Sequence, residues 1–212
     1  MRFRTIIFDL DGTLIDHFQA IYRSHAHTMA RLGLPAPSYA QVRAAVGGGL
    51  EKAIAHLAGP TRVAEALPIF RAYWDATLLD DVILLPGAHE LLLSLHTRGI
   101  STAVLTNKLG ASARLICDHL ALTPLLATIV GATDTAWLKP DPALPQYVLA
   151  QLGADAADAL MVGDSPYDVQ TAHQSALPCW CVTTGTHTAE ELTLAGADSV
   201  YAGLDEIGAV LA

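Results

Sequence analysis

Positive charge is scarce in this chain. Only 12 lysines and arginines stand against 21 aspartates and glutamates, for a formal net charge of −9 at pH 7. Surfaces that hold nucleic acid or an anionic membrane depend on Lys/Arg density, so neither is an expected partner, and a small molecule is. Long apolar runs are missing too: no stretch of about 18 consecutive apolar residues occurs, so no spanning helix is expected. The N-terminal apolar run from Ile6 to Leu10 is short and broken by Asp9, so a signal peptide is not expected either. Cysteine is limited to Cys117, Cys179 and Cys181, which build no disulfide framework at this size, and the chain reads as a reduced, cytoplasmic protein. Cys179 and Cys181 flank Trp180 in a strand-like run, where a period of two puts both thiols on one face. With no second Cys/His pair at zinc spacing, they read as core residues. The nine histidines show no transition-metal spacing, and no internal repeat or low-complexity segment occurs.

Hydrophobic residues make up 52% of the chain and charged ones 16%, a balance that excludes disorder and suits a packed α/β protein. Its 212 residues suffice for one large domain or for a core with a smaller insertion. Apolar runs rich in β-branched residues predict strands over Thr5–Leu10, Ser101–Thr106, Thr128–Gly131, Ala159–Gly163, Cys179–Thr183 and Ser199–Tyr201. Helical patterns fall between them, over His89–Thr97, Ala111–His119, Leu144–Leu152, Tyr167–Ser175, Ala189–Leu194 and Leu204–Leu211. Such alternation predicts an α/β fold: a Rossmann-like parallel sheet with helices on both faces.

One block departs from the rhythm. From about His17 to Asp81 only helical patterns appear, punctuated by "GLPAPS" (Gly33 to Ser38), "GGG" (Gly47 to Gly49) and "AGP" (Ala58 to Pro60). A segment of that length is too long for a loop, so a small all-helical domain inserted after the first strand is expected over 17–83. The α/β core then comprises 1–16 and 84–212, with hinges near Asp16 and Leu84 to Pro86.

Polar residues collect where the strands end. "FDLDGT" places Asp9 and Asp11 at the end of the first strand, "LTNK" (Leu105 to Lys108) ends the second, and "VGDSPYD" (Val162 to Asp168) ends the fourth. In open α/β sheets ligands gather at the carboxyl ends of the strands. Asp9, Asp11, Asp164 and Asp168 would crowd there, and two carboxylates about 4 Å apart repel by roughly 4 kcal/mol at an effective dielectric near 20. The cluster needs a cation, and oxygen ligands suit Mg²⁺. A phosphate dianion would enter only with that metal and a further cation, for which "LKPDP" supplies Lys139.

DLDGT at Asp9–Thr13, the strand end at Thr106, Lys139 before Pro140, and GDSxxD at Gly163–Asp168 resemble, in order, the four motifs of the haloacid dehalogenase superfamily. The helical insertion stands where that family places its cap domain. "DGTLID", "LLPGAHELLLSL" and "GADSVYAGLDEI" are similar to its phosphoglycolate phosphatase-like branch. The resemblance implies a Mg²⁺-dependent phosphatase of small phosphorylated metabolites, with 2-phosphoglycolate as leading candidate. It makes Asp9 the nucleophile that forms an aspartyl phosphate, and Asp11, two residues on, the general acid and base. Gly12 would let backbone approach the phosphate, and Thr13 would hydrogen-bond nearby. Thr106 and the amides around Asn107 would bind phosphoryl oxygens, and Lys139 would balance charge. Asp9, the Asp11 carbonyl and Asp164 would hold Mg²⁺, while Asp168 supports the metal through water or holds Lys139.

In the insertion, His25 and His27 read as surface or satisfied polar residues. "VGGGLEK" (Val46 to Lys52) is either a substrate-sensing loop or a break between helices, with Arg43 and Lys52 as candidates for a second anion on the substrate. Phe70, Tyr73 and Trp74 are expected to pack the insertion, and Trp137 to shield the site's edge. The oligomeric state is left open. Three alternatives remain: a phosphosugar mutase on the same scaffold, a non-catalytic phospho-accepting module, and a haloacid dehalogenase. A receiver-like module would divide its acids between strands, whereas one strand here carries both Asp9 and Asp11. A dehalogenase has no need of Asp11.

Overall fold

Strands that carry apolar residues on both faces must be covered on both, and the chain supplies a helix after almost every one. The computed structural model describes residues 3–212. In chain order the elements are β1 (Thr5–Phe8), β2 (Ile15–Asp16), α1 (Phe18–Arg31), α2 (Tyr39–Ala45), α3 (Leu50–Ala58), α4 (Val63–Thr77) and β3 (Ile83–Leu84). There follow α5 (Ala88–Thr97), β4 (Ser101–Leu109), α6 (Gly110–His119), β5 (Thr128–Ala132), α7 (Ala143–Leu152), β6 (Ala159–Gly163) and α8 (Pro166–Gln174). The chain ends with β7 (Cys179–Val182), α9 (Ala189–Leu194), β8 (Ser199–Tyr201) and α10 (Leu204–Leu211).

Six strands form one parallel sheet in the order β5-β4-β1-β6-β7-β8. All four residues of β1 are buried, and they alternate between two cores. Ile6 and Phe8 pack with Leu92 and Leu95 of α5, Ile116 of α6 and Ile207 of α10. Ile7 points the other way, toward Val148 of α7, Val169 of α8 and Leu192 of α9. Helices therefore cover both faces, as the run of strands and helices predicts. Cys179 and Cys181 lie buried with their sulfurs 3.8 Å apart, while Trp180 turns to the opposite face against Phe3 and Tyr201.

Strand order reverses at β1. The chain leaves β1 for β4 and β5 on one side, then returns to β6, β7 and β8 on the other. Such a switch point opens a crevice at the carboxyl end of the central strand. β1 ends at Phe8, short of the expected Leu10, although the Asp9 amide still donates to the Val162 carbonyl at 2.9 Å. β4 runs three residues past the expected Thr106, because its pairing with β5 breaks between Leu105 and Leu109 and resumes at Ala132. That irregularity releases Thr106, Asn107 and Lys108 from the regular ladder at the crevice.

The helical block contains α1 to α4, and the short antiparallel pair β2–β3 closes its neck through Ile15 with Leu84 and Asp16 with Ile83. No sequence pattern announced those two-residue strands, since a period of two cannot be read over two residues. Ile21, Ile54, Phe70 and Trp74 join the same buried cluster as one face of the sheet. At the neck, His17 Nε2 donates to the Leu78 carbonyl at 2.7 Å, tying the start of α1 to the end of α4.

Candidate active site

The end of β1 carries Asp9, and two charged residues from separate loops meet there. Lys139 Nζ lies 2.8 Å from Asp9 Oδ1 and 2.7 Å from Asp168 Oδ1, with all three side chains buried. Asp168 sits in the first turn of α8, where its other oxygen accepts from the Ser165 amide at 3.0 Å, the Ser165 hydroxyl at 2.6 Å and the Asp164 amide at 3.2 Å. Both Asp168 oxygens are thus committed. Of the two roles left open for Asp168, the contact seen is the one with Lys139. Asn107 fixes the lysine's backbone, its side chain accepting from Lys139 N at 2.8 Å and donating to the Lys139 carbonyl at 3.1 Å.

Asp164 ends β6 and faces Asp9. Its Oδ2 accepts from the Thr186 amide at 3.2 Å, and the backbones of Gly12 and Gly185 close on the same carboxylate. Gly12 adopts φ +84°, and a Cβ there would stand 2.7 Å from Asp164 Oδ2; one on Gly185 would overlap the carboxylate outright. Two glycines are therefore required where three loops converge.

Asp9, Asp164 and Asp168 each offer an oxygen within 4.8 Å of the others. Burial first, opposed by Lys139 and reinforced by Asp168, raises Asp9 to about 6. Burial, with the charges of Asp168 and Asp9, holds Asp164 well above the ordinary carboxylate range. Lys139 rises above the usual lysine range: burial lowers it, but Asp168 and Asp9 outweigh that. One ammonium against three carboxylates leaves a buried excess of negative charge. Among the described residues, Asp9 Oδ1 also has no aligned hydrogen-bond partner, its approach to Lys139 being an ion pair. This donor set fits a divalent cation, and Asp9 and Asp164 are the carboxylates with oxygens to spare.

Asp11 sits apart from that trio. Both its carboxylate oxygens are held by Lys108 Nζ, at 2.9 and 2.8 Å, and His17 Nδ1 stands 3.8 Å away. Burial first, and then the positive charge of Lys108, lowers the His17 pKa to about 3, so the ring is neutral. Lys108 Nζ also lies 4.7 Å above the Trp74 ring, whose indole N–H donates to Ser112 Oγ at 2.9 Å. Between this group and the insertion lies a cavity of about 90 Å³. Asp9, Asp11, Thr106, Asn107, Lys108 and Asp164 line its core side; Ile21, Val46, Leu50, Phe70 and Trp74 line the other.

The haloacid dehalogenase-like hydrolase model matches residues 6–182 of this chain. The chain belongs to that family. The probable phosphatase IndB of Dickeya dadantii is 34% identical over 90% of the chain and 85% of its own length. A phosphoglycolate phosphatase of Rhodospirillum rubrum is 33% identical over 97% of the chain and 89% of its own. The crystal structure of a predicted phosphoglycolate phosphatase from Haemophilus somnus superposes with a TM-score of 0.94 over 100% of the chain and 99% of its own, at 23% identity, a likeness of fold.

Within this haloacid dehalogenase-like frame, the residues named from sequence converge: Asp9, Asp11, Thr106, Asn107 and Asp164 border one cavity, with Lys139 and Asp168 directly behind Asp9. Several neighbours escaped the reading. Lys108 stands within "LTNK", where its position next to Asn107 is the one signal that marks it. The Gly185–Thr186 turn after β7 and His17 carry no motif, and only the fold brings them to Asp164 and Asp11.

Other expectations need correction. Thr13 is fully buried, and its hydroxyl has no partner among the described residues. Arg43 turns out of the cavity, donating to the Gly185 carbonyl and lying over Phe18, and Lys52 lies over Tyr167. Neither is placed to meet a second anion: Arg43 is held across the seam by the Gly185 carbonyl and within the insertion by Phe18, and Lys52 lies over Tyr167 of the core. Trp137 is 39% exposed against Tyr147 and does not border the cavity. His27 stacks on Tyr73 at 4.2 Å, whereas His25 is buried, with its Nδ1 unsatisfied.

Proposed function

We propose that the chain is a Mg²⁺-dependent phosphatase that hydrolyses a small phosphomonoester through a phosphorylated Asp9. The observation that carries the reading is the arrangement at the end of β1: Asp9 faces Asp164 with Lys139 at its back, under a cavity that opens toward Asp11 and Thr106. Mg²⁺, held by Asp9, Asp164 and the Asp11 carbonyl, would offset the negative charge that otherwise bars a phosphate dianion.

The chain's own groups then divide the work. An Asp9 carboxylate oxygen forms a bond to phosphorus as the ester P–O bond breaks, and Asp11, having parted from Lys108 and taken up a proton, gives that proton to the departing alcohol oxygen. Asp11 next takes a proton from water, whose oxygen bonds to phosphorus and displaces Asp9 as free carboxylate. Lys139 keeps Asp9 oriented and balances phosphoryl charge, with Asp168 positioning it. Thr106 and the backbone beside Asn107 hold phosphoryl oxygens. The helical insertion, over 17–83, serves as a cap on the core of 1–16 and 84–212, and its apolar wall keeps bulk water from the intermediate.

The substrate is a small phosphorylated metabolite. 2-Phosphoglycolate heads the candidates, because similarity to enzymes of that name is what the sequence offers. The test is phosphate release from a panel of small esters with Mg²⁺ and with chelator. Metal-dependent release that falls by about 10⁴-fold or more in Asp9→Asn is expected, as for loss of a covalent nucleophile. Undiminished release by Asp9→Asn would overturn the mechanism.

A further inference from the structure

His25 occupies an unusual place in the wall of the cavity. It follows Ile21 by one turn of α1, on the same face, and both border the cavity. The other side chains on the insertion's side of that wall are apolar, apart from the Trp74 indole N–H, which is already donated to Ser112. His25 is 1% exposed, its ring lies 4.7 Å from that of Phe70, and its Nδ1 has no hydrogen-bond partner among the described residues. Burial alone, with no opposing partner, lowers its pKa to about 4, so the ring is uncharged at pH 7. An unpartnered buried polar atom is destabilising, and a leucine would line the same wall without that cost.

The polar groups of the core side surround Asp9 and are absorbed by the phosphoryl end of the substrate. The wall carrying His25 therefore faces the alcohol portion. We propose that His25 is a specificity-determining residue that hydrogen-bonds a hydroxyl on the alcohol portion of the phosphomonoester. This rests on the phosphatase reading but not on 2-phosphoglycolate, whose alcohol portion carries a carboxylate and no hydroxyl, and it moves the leading candidate to a hydroxylated ester. A hydroxyl suits the wall better than a carboxylate: the ring is neutral, and Arg43 and Lys52 turn away.

Three esters of matched size test it: ethyl phosphate, 2-hydroxyethyl phosphate and 2-phosphoglycolate, each assayed for phosphate release with Mg²⁺. For the unaltered protein, kcat/KM on 2-hydroxyethyl phosphate should exceed that on ethyl phosphate by about tenfold, the worth of one buried hydrogen bond. His25→Leu should bring that ratio close to one. His25→Phe, which keeps a ring beside Phe70, provides the same comparison should the leucine variant fold poorly, and His25→Gln should restore part of the preference. A ratio unchanged in the apolar variants would overturn the inference and leave the phosphatase reading standing. A His25-dependent preference for 2-phosphoglycolate over 2-hydroxyethyl phosphate would overturn the hydroxyl assignment in favour of a carboxylate. No release from any ester by the unaltered protein would overturn both readings.

Discussion

Gly185 owes its importance to what it lacks. Its backbone occupies the space beside the Asp164 carboxylate where any Cβ would overlap, and the next amide, from Thr186, donates to that same carboxylate. Even one methyl group must push Asp164 away from Asp9. Gly185→Ala is therefore expected to weaken Mg²⁺ activation by about 10–100-fold, the usual effect of disturbing groups that orient a metal ligand. A Mg²⁺ titration of phosphate release measures it, and unchanged half-activation would show that Asp164 can shift without loss. The same crowding explains Gly163, where a Cβ would strike Asp168, whose two oxygens hold Lys139 on one side and the start of α8 on the other.

Among elements, Asn107 joins three. It stands where β4 leaves the regular ladder, accepts from and donates to the Lys139 backbone, and donates to the Gly47 carbonyl of the insertion at 2.9 Å. Asn107→Ala removes these contacts and leaves the Lys139 N–H without its acceptor. Stability should fall by about 1–3 kcal/mol, and kcat/KM should fall about 10–100-fold as Lys139 drifts from Asp9. Urea denaturation and steady-state kinetics check the two halves. A loss of stability with kcat/KM intact would mean that Lys139 keeps its place through Asp9 and Asp168 alone.

For the whole molecule, the buried carboxylates link folding to pH and metal. Asp9 has a folded pKa raised from 3.8 to about 6, so the folded state binds this proton more tightly than the unfolded chain does. Its contribution is most favourable at low pH and is lost as pH rises from about 4 to about 6; Asp164 shifts in the same direction. On the Mg²⁺-dependent reading proposed above, a divalent cation would take the place of those protons and bind the folded form alone. Mg²⁺ at about 100 times its Kd should therefore raise Tm by about 5–10 °C at pH 7.5 and by markedly less at pH 5. Thermal melts with and without metal decide this. An equal gain at both pH values would place the cation away from Asp9 and Asp164.

Much of this protein is written along the chain. Strand runs such as Thr5–Phe8 and Ala159–Gly163 are apolar throughout, and a local pattern of that kind survives folding because burial rewards it everywhere in the sheet. The DLDGT and GDSxxD stretches were equally legible, since each places its acids at a strand end within a few residues. The acids' companions were not. Lys108 reaches Asp11 across 97 residues, Thr184 to Thr186 return to Gly12 and Asp164 from beyond β7, and Arg43 meets Gly185 from 142 residues away. His25 looked like an ordinary helical polar residue until α1 and α4 enclosed it. The order of acids, threonine and lysine is a property of the sequence, because motif spacing is local. Which cations neutralise which acids, and which polar atom remains unpartnered beside the cavity, are decided by long-range packing that no local pattern encodes.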